Sequence, residues 1–257
     1  MFAAIDIGSN TVQMLTARAQ GDNLCQRRNY LATTGLGAGN QGRLLSSAIA
    51  ETAAIVGEYM DELAVLGVQQ VRILATSAVR DALNSGELLA AIASAAPRAP
   101  RLEIINGEQE ARLSYLGARV SLQVPAAWPV ADVGGSSTEL VYDLGDTVKA
   151  VSANVGALRA KVNGWSRAEI KRRLALSLQR LNDAATLVGV GGTITTAAGL
   201  QLGLRAYQRE AIEGAVLAYG DLVKLRQELL PLSLPERCAR SPLLHKRGHI
   251  MEQGLDI

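Results

Sequence analysis

Cysteine is scarce in this chain: there are two, Cys25 and Cys238, far apart. Two thiols exclude a disulfide framework and a four-cysteine zinc site, which leaves buried structural thiols as the expectation. Excess charge of one sign is also missing. The formal net charge is +2 over 257 residues, which argues against a general nucleic-acid or membrane binder. No apolar run reaches the length of a membrane span. The start, MFAAIDIGSN, lacks the basic segment and long apolar stretch of a secretion signal, so a cytoplasmic protein is expected. What the chain has is core-forming material, 48% hydrophobic residues against 19% charged. That excludes wholesale disorder and, at this length, suits one large or two small domains.

Strand and helix signals alternate. Short apolar runs predict strands over 2–7, 71–78, 102–105 and 185–192, the first and last running into glycine turns. Apolar residues at helical spacing predict helices over 46–67, 85–96, 107–122 and 166–181, with Gly67 as a C-terminal stop and Ser166 and Glu169 as a capping box. A further helix is expected after the glycine pair at 191–192. Pro125 breaks the pattern, so two α/β domains are expected, 1–123 and 124–257.

The most informative stretch is VADVGGSSTEL at 130–140, because it has a partner. Aligned with AAIDIGSNTVQML at 3–15, Asp132 matches Asp6, Gly134 matches Gly8, and Glu139 matches Gln13. Each copy reads as strand, Asp, glycine-rich turn, strand. Such a turn can gather backbone N–H groups around an anion, and glycine lets the backbone approach closely. An Asp beside phosphate makes physical sense when a cation such as Mg²⁺ lies between them. Two ordinary hairpins with polar turns are the plain alternative. A third glycine turn, GVGGT at 189–193, also follows a strand.

The ordered set DIGSNTVQML, ATSAVRDALNS, INGEQEARLSYLGA, DVGGSSTELV, NVGALRAKV and GVGGTITTAAGL resembles the Ppx/GppA family of exopolyphosphatases and guanosine pentaphosphate phosphatases, from residue 3 to about 200. The resemblance implies an α/β fold of two actin-like, ribonuclease H-like domains with a cleft between them. It implies Mg²⁺-dependent hydrolysis of terminal phosphoanhydride bonds in polyphosphate or guanosine pentaphosphate. The first phosphate loop maps onto Asp6, Gly8, Ser9, Asn10 and Thr11. The second maps onto Gly134, Gly135, Ser136, Ser137 and Thr138, with Ser136 where the family usually has a third glycine. Asp132 and Glu139 match the metal positions, and Gly191, Gly192 and Thr193 line the third turn. Glu110 matches the catalytic glutamate that orients and deprotonates the attacking water, and Arg80 is a candidate phosphate clamp. An exposed helix carboxylate and a surface arginine are the plain alternatives for those two. Arg159, Lys161, Arg167, Lys171, Arg172, Arg173 and Arg180 form a basic set that could attract a polyanion, or a solvated helix face.

Against the family's pattern, the chain stops at KRGHIMEQGLDI, so the second domain is expected to lack its last strand–helix unit. A kinase of the same superfamily and a non-catalytic phosphate or nucleotide sensor stand as alternatives. A homodimer stays open.

Overall fold

The computed structural model describes residues 1–21, 23–39, 42–143, 147–178 and 186–257. They divide into two compact units, Met1–Gly107 and Glu108–Ile257.

The first unit opens with an antiparallel meander, β1 (Phe2–Ile7), β2 (Thr11–Gln20) and β3 (Asn23–Thr33). Then come α1 (Ser46–Val65), β4 (Gln70–Ala75), α2 (Ser77–Arg80), α3 (Ser85–Ala95) and β5 (Glu103–Ile104). The five-stranded sheet has the order β3-β2-β1-β4-β5. Ile5, Ile7, Met14 and Ile73 from the strands pack against Ala53, Val56, Leu63 and Leu88 from α1 and α3. Helix α1 ends as its sequence predicts: Gly67 has φ of 65° and donates its N–H to the Ala64 carbonyl, a backbone form glycine adopts without steric cost. The strand expected over 71–78 is shorter. Beyond Ala75 the neighbouring β1 has ended, and the Thr76 carbonyl accepts from Val79 and Arg80 to start α2.

The second unit repeats the opening with β6 (Val130–Val133), β7 (Thr138–Asp143) and β8 (Val148–Ala153). After α5 (Ala157–Val162) and α6 (Arg167–Leu178) comes β9 (Val188–Val190), parallel to β6. The sheet order is β8-β7-β6-β9, four strands among the described residues. The predicted ends of α6 and of β9, at 179–181 and 185, lie outside the described residues, as does Arg180. Helix α7 (Gly192–Gln201) follows the third glycine turn, then α8 (Arg209–Ile212), α9 (Tyr219–Leu229), α10 (Leu234–Arg240) and α11 (Met251–Asp256). Ala197, Leu225, Leu229, Leu244 and Met251 form a core among these helices.

Helix α4 (Gly107–Leu122) falls on the other side of the division from the one its sequence position suggests. Ala111, Tyr115 and Ala118 pack on Val130, Val141 and Val188, so α4 covers the second sheet. A helix lies where its apolar stripe is buried, and sequence proximity to β5 does not decide that.

Candidate active site

The internal repeat is present in hydrogen bonds. Gly8 N–H donates to the Thr11 carbonyl at 3.0 Å, and Gly134 N–H donates to the Ser137 carbonyl at 3.0 Å. In register, Asp6 pairs with Gln13 and Asp132 with Glu139.

In both turns the carbonyl oxygens are tied back. Ser9 accepts from Gly37, and Asn10 accepts from Thr34 and Gly35. In the second turn Gly134 accepts from Ala157, and Gly135 accepts from Leu158 and Arg159, the first amides of α5. The Arg159 side chain also donates to the Ser136 carbonyl at 2.7 Å. The N–H groups of Ser9, Asn10, Gly135 and Ser136 have no acceptor among the described residues. A turn with engaged carbonyls and unused amides is able to receive an anion. Asn10 adds a second sign. It is 5% exposed, yet neither its amide nitrogen nor its oxygen has a partner, a cost that a ligand or water would relieve.

Next to the second turn the carboxylates gather. Residues paired across strands share a face of the sheet, so Asp132 on β6, Glu139 on β7 and Ser152 on β8 form one row. Ser152 Oγ donates to Glu139 Oε1 at 2.7 Å, and Ser114 Oγ from α4 donates to Asp132 Oδ2 at 2.5 Å. Glu139 is 1% exposed. Burial, then the charges of Glu110 and Asp132, push its carboxyl up to about 8, against the opposing bonds from Ser152 and Ser137. Burial also raises Asp132, with the Ser114 bond opposing. Glu110, on the first turn of α4, thus stands close enough for its charge to act on Glu139. Asp132 and Glu139, buried side by side with no positive charge pulling either one down, are an arrangement that a cation stabilises. Among the described residues no group of three or more His, Cys, Asp or Glu side chains could hold a metal ion. The donor set still fits Mg²⁺, which typically uses one or two carboxylates and completes its shell with water and phosphate.

The third turn closes over the same row. Gly191 has φ of 96°, and a Cβ there would lie 2.5 Å from the Val133 carbonyl oxygen and 2.9 Å from Asp132 Oδ1. Gly192 is covered by a guanidinium: its Cβ would fall 1.8 Å from Arg247 Cζ. Arg247 has no carboxylate partner among the described residues, and burial pulls its pKa down.

The structure thus gathers Glu110, Asp132, Gly134, Gly135, Ser136, Ser137, Glu139 and Gly191 in the second unit. The Thr138 hydroxyl is engaged elsewhere, donating to the Val155 carbonyl at 2.6 Å. Thr193 is buried against α11, where a Cβ on Gly254 would strike its hydroxyl. In the first unit Ser9 Oγ lies 3.5 Å from Ser77 Oγ on α2. Arg80, at the end of α2, donates to the Ile105 carbonyl at 3.0 Å and lies 3.6 Å from Asp81. Of the basic set, Arg172 and Arg173 pair with Glu169 on their own helix, as a solvated face does. Sequence reading missed Ser114, Ser152 and Arg247. Ser114 carried one signal, its position one helical turn beyond Glu110.

Two sheets, each opened by a glycine-turned hairpin and extended by a parallel strand, define an actin-like α/β protein. The Ppx/GppA phosphatase family model matches residues 26–257. Exopolyphosphatase 2 of Mycobacterium tuberculosis is 31% identical over 276 residues, covering 98% of this chain and 86% of the relative. The crystal structure of the Aquifex aeolicus family member superimposes with a TM-score of 0.77 at 30% identity, covering 100% of this chain and 87% of that one. An exopolyphosphatase from Cytophaga hutchinsonii shares the fold, with a TM-score of 0.82 at 21% identity over 99% of this chain and 88% of its own. The chain belongs to the Ppx/GppA phosphatase family.

Proposed function

We propose that this protein hydrolyses the terminal phosphoanhydride bond of linear polyphosphate and releases inorganic phosphate. The observation that carries this reading is the buried Asp132–Glu139 pair beside a turn whose carbonyls are engaged and whose amides are unused. The exopolyphosphatase name of the Mycobacterium relative supports the substrate.

In this reading the amides of Gly135 and Ser136 and the hydroxyl of Ser136 hold phosphate oxygens, while the Ser137 hydroxyl bonds the Glu139 carboxylate. The first-unit turn of Asp6, Gly8, Ser9, Asn10 and Thr11 is a second phosphate loop, with the Asn10 amide turned to its ligand. Asp132 and Glu139 would hold Mg²⁺, which when bound neutralises charge on phosphate oxygens. Glu110 orients the attacking water and takes its proton. A strong base is not required, since phosphoryl transfer depends mainly on positioning and charge neutralisation. Arg247, over Gly192, supplies positive charge beside the second-unit turn, and Arg80 supplies it within the first unit.

Guanosine pentaphosphate carries the same terminal linkage and is the second substrate to assay, as the family's name indicates. The test is phosphate release by purified protein from each compound, with Mg²⁺ and with chelator. Mg²⁺-dependent release from polyphosphate is expected. No release from either, together with no thermal stabilisation by polyphosphate, defeats the proposal.

A further inference from the structure

The geometry points to Ser114 and Ser152 as positioning residues that fix the rotamers of the two carboxylates, so that the row is held ready for a divalent cation. This rests on the assignment of Asp132 and Glu139 as cation ligands.

Ser114 takes Asp132 Oδ2, and Ser152 takes Glu139 Oε1, with the Ser137 hydroxyl as a second donor to the Glu139 carboxylate. Asp132 Oδ1 lies 2.9 Å from where a Cβ on Gly191 would stand and accepts no hydrogen bond among the described residues. A neutral hydroxyl suits this place. It fixes a carboxylate rotamer without supplying a positive charge that would compete with the cation. A lysine or arginine there would cancel the negative charge the site needs. The serines come from two different elements, α4 and β8, on either side of the carboxylate row. Ser114 also lies four residues after Glu110, on the same face of α4. Its bond to Asp132 therefore holds the face that carries Glu110 against the carboxylate row. The docking of α4 itself does not depend on that bond, because Ala111, Tyr115 and Ala118 already pack on Val130, Val141 and Val188. Removing the hydroxyl should leave the helix in place and free the carboxylate to rotate.

Groups that orient metal ligands typically cost about 10–100-fold in metal affinity when removed. The experiment measures Mg²⁺ binding by calorimetry in the full-length wild type, Ser114→Ala, Ser114→Thr and Ser152→Ala, with urea unfolding of each. Ser114→Ala and Ser152→Ala should each weaken Mg²⁺ binding about 10–100-fold with little change in urea midpoint. Ser114→Thr, which keeps the hydroxyl, should restore wild-type affinity. At saturating Mg²⁺ the KM for polyphosphate should match wild type. Unchanged Mg²⁺ affinity in both alanine variants, with a wild type that binds, overturns the positioning role and leaves the ligand assignment standing. A wild type that binds no Mg²⁺ overturns both. A stability loss in Ser114→Ala that tracks the affinity loss, with both recovered in Ser114→Thr, assigns the hydroxyl to helix docking and also overturns the role.

Discussion

Glu110 and Glu139 are both glutamates of the second unit, yet their surroundings differ. Glu139 is sealed in the sheet row with a raised pKa, whereas Glu110 is half-buried on the first turn of a helix. Glu110→Gln keeps shape and helix propensity but removes the proton acceptor. Turnover should fall by about 100- to 10,000-fold, the range for general-base catalysis, while polyphosphate still protects the variant from thermal unfolding. Near-normal turnover in a folded variant removes Glu110 from the chemistry. His249 offers a residue-scale test through pH. Burial, with the charges of Lys161 and Arg247, lowers its pKa below 6.5. The folded state then binds the proton less well than the unfolded state. The stabilisation is fully present above the unfolded value and is lost as pH falls from there through the folded value. The unfolding temperature should decline on acidification below about 6.5, and His249→Gln should flatten that part of the curve. Equal slopes in the two proteins would reject the assignment.

At the scale of elements, the start of α5 shapes the second turn. Gly156 has extended backbone, φ −145°, so its identity is not set by dihedral preference. It is set by proximity: a Cβ there would lie 2.5 Å from the carbonyl carbon and oxygen of Gly135 and from the Ser136 nitrogen. Gly156→Ala must separate α5 from the turn and loosen the bonds that engage its carbonyls. A stability loss of about 1–3 kcal/mol, typical of overpacking, should accompany a larger drop in phosphate release. Urea titration and the release assay check the two parts separately. A variant with wild-type stability and turnover would show that the turn tolerates the shift. The same reasoning refines the view of Gly134. Its φ is not in the left-handed region, and the obstacle is the Ser137 carbonyl oxygen, 2.9 Å from a built Cβ. Gly134→Ala therefore strains the hairpin sterically.

Within the second unit as a whole, the last residues join several helices. The Asp256 carboxylate, 5% exposed, pairs with Arg226 from α9 and lies 3.6 Å from Arg167 of α6. Asp256→Ala leaves Arg226 partly buried without its hydrogen-bonded carboxylate, with only the charge of Glu252 still acting on it, and about 3 kcal/mol of stability should be lost. Replacing Arg226 as well should recover part of that loss, since the stranded charge is then gone. A urea midpoint unchanged in Asp256→Ala would mean that the pair is solvated and weak. No described helix is long and apolar enough to cross a membrane, in keeping with the absence of long apolar runs in the sequence.

The sequence by itself determined the local chemistry. Asp–x–Gly turns, helical spacing and a glycine stop at Gly67 depend on neighbours within a few residues, so they are legible in one dimension. The repeat of those turns raised the expectation of paired phosphate loops and, through resemblance, identified the family. Tertiary structure decided what required two distant segments at once. Which sheet α4 covers followed from where its apolar stripe is buried. That Ser152 meets Glu139 followed from strand register, which moves a side chain to the other face with a one-residue slip. That Arg247 lies over Gly192, and that Ser114 rather than a solvent molecule holds Asp132, followed from helix packing. Hydrogen bonds and charges act over a few ångströms of space whatever the separation along the chain, so a single sequence shows the groups present and only the fold shows which of them meet.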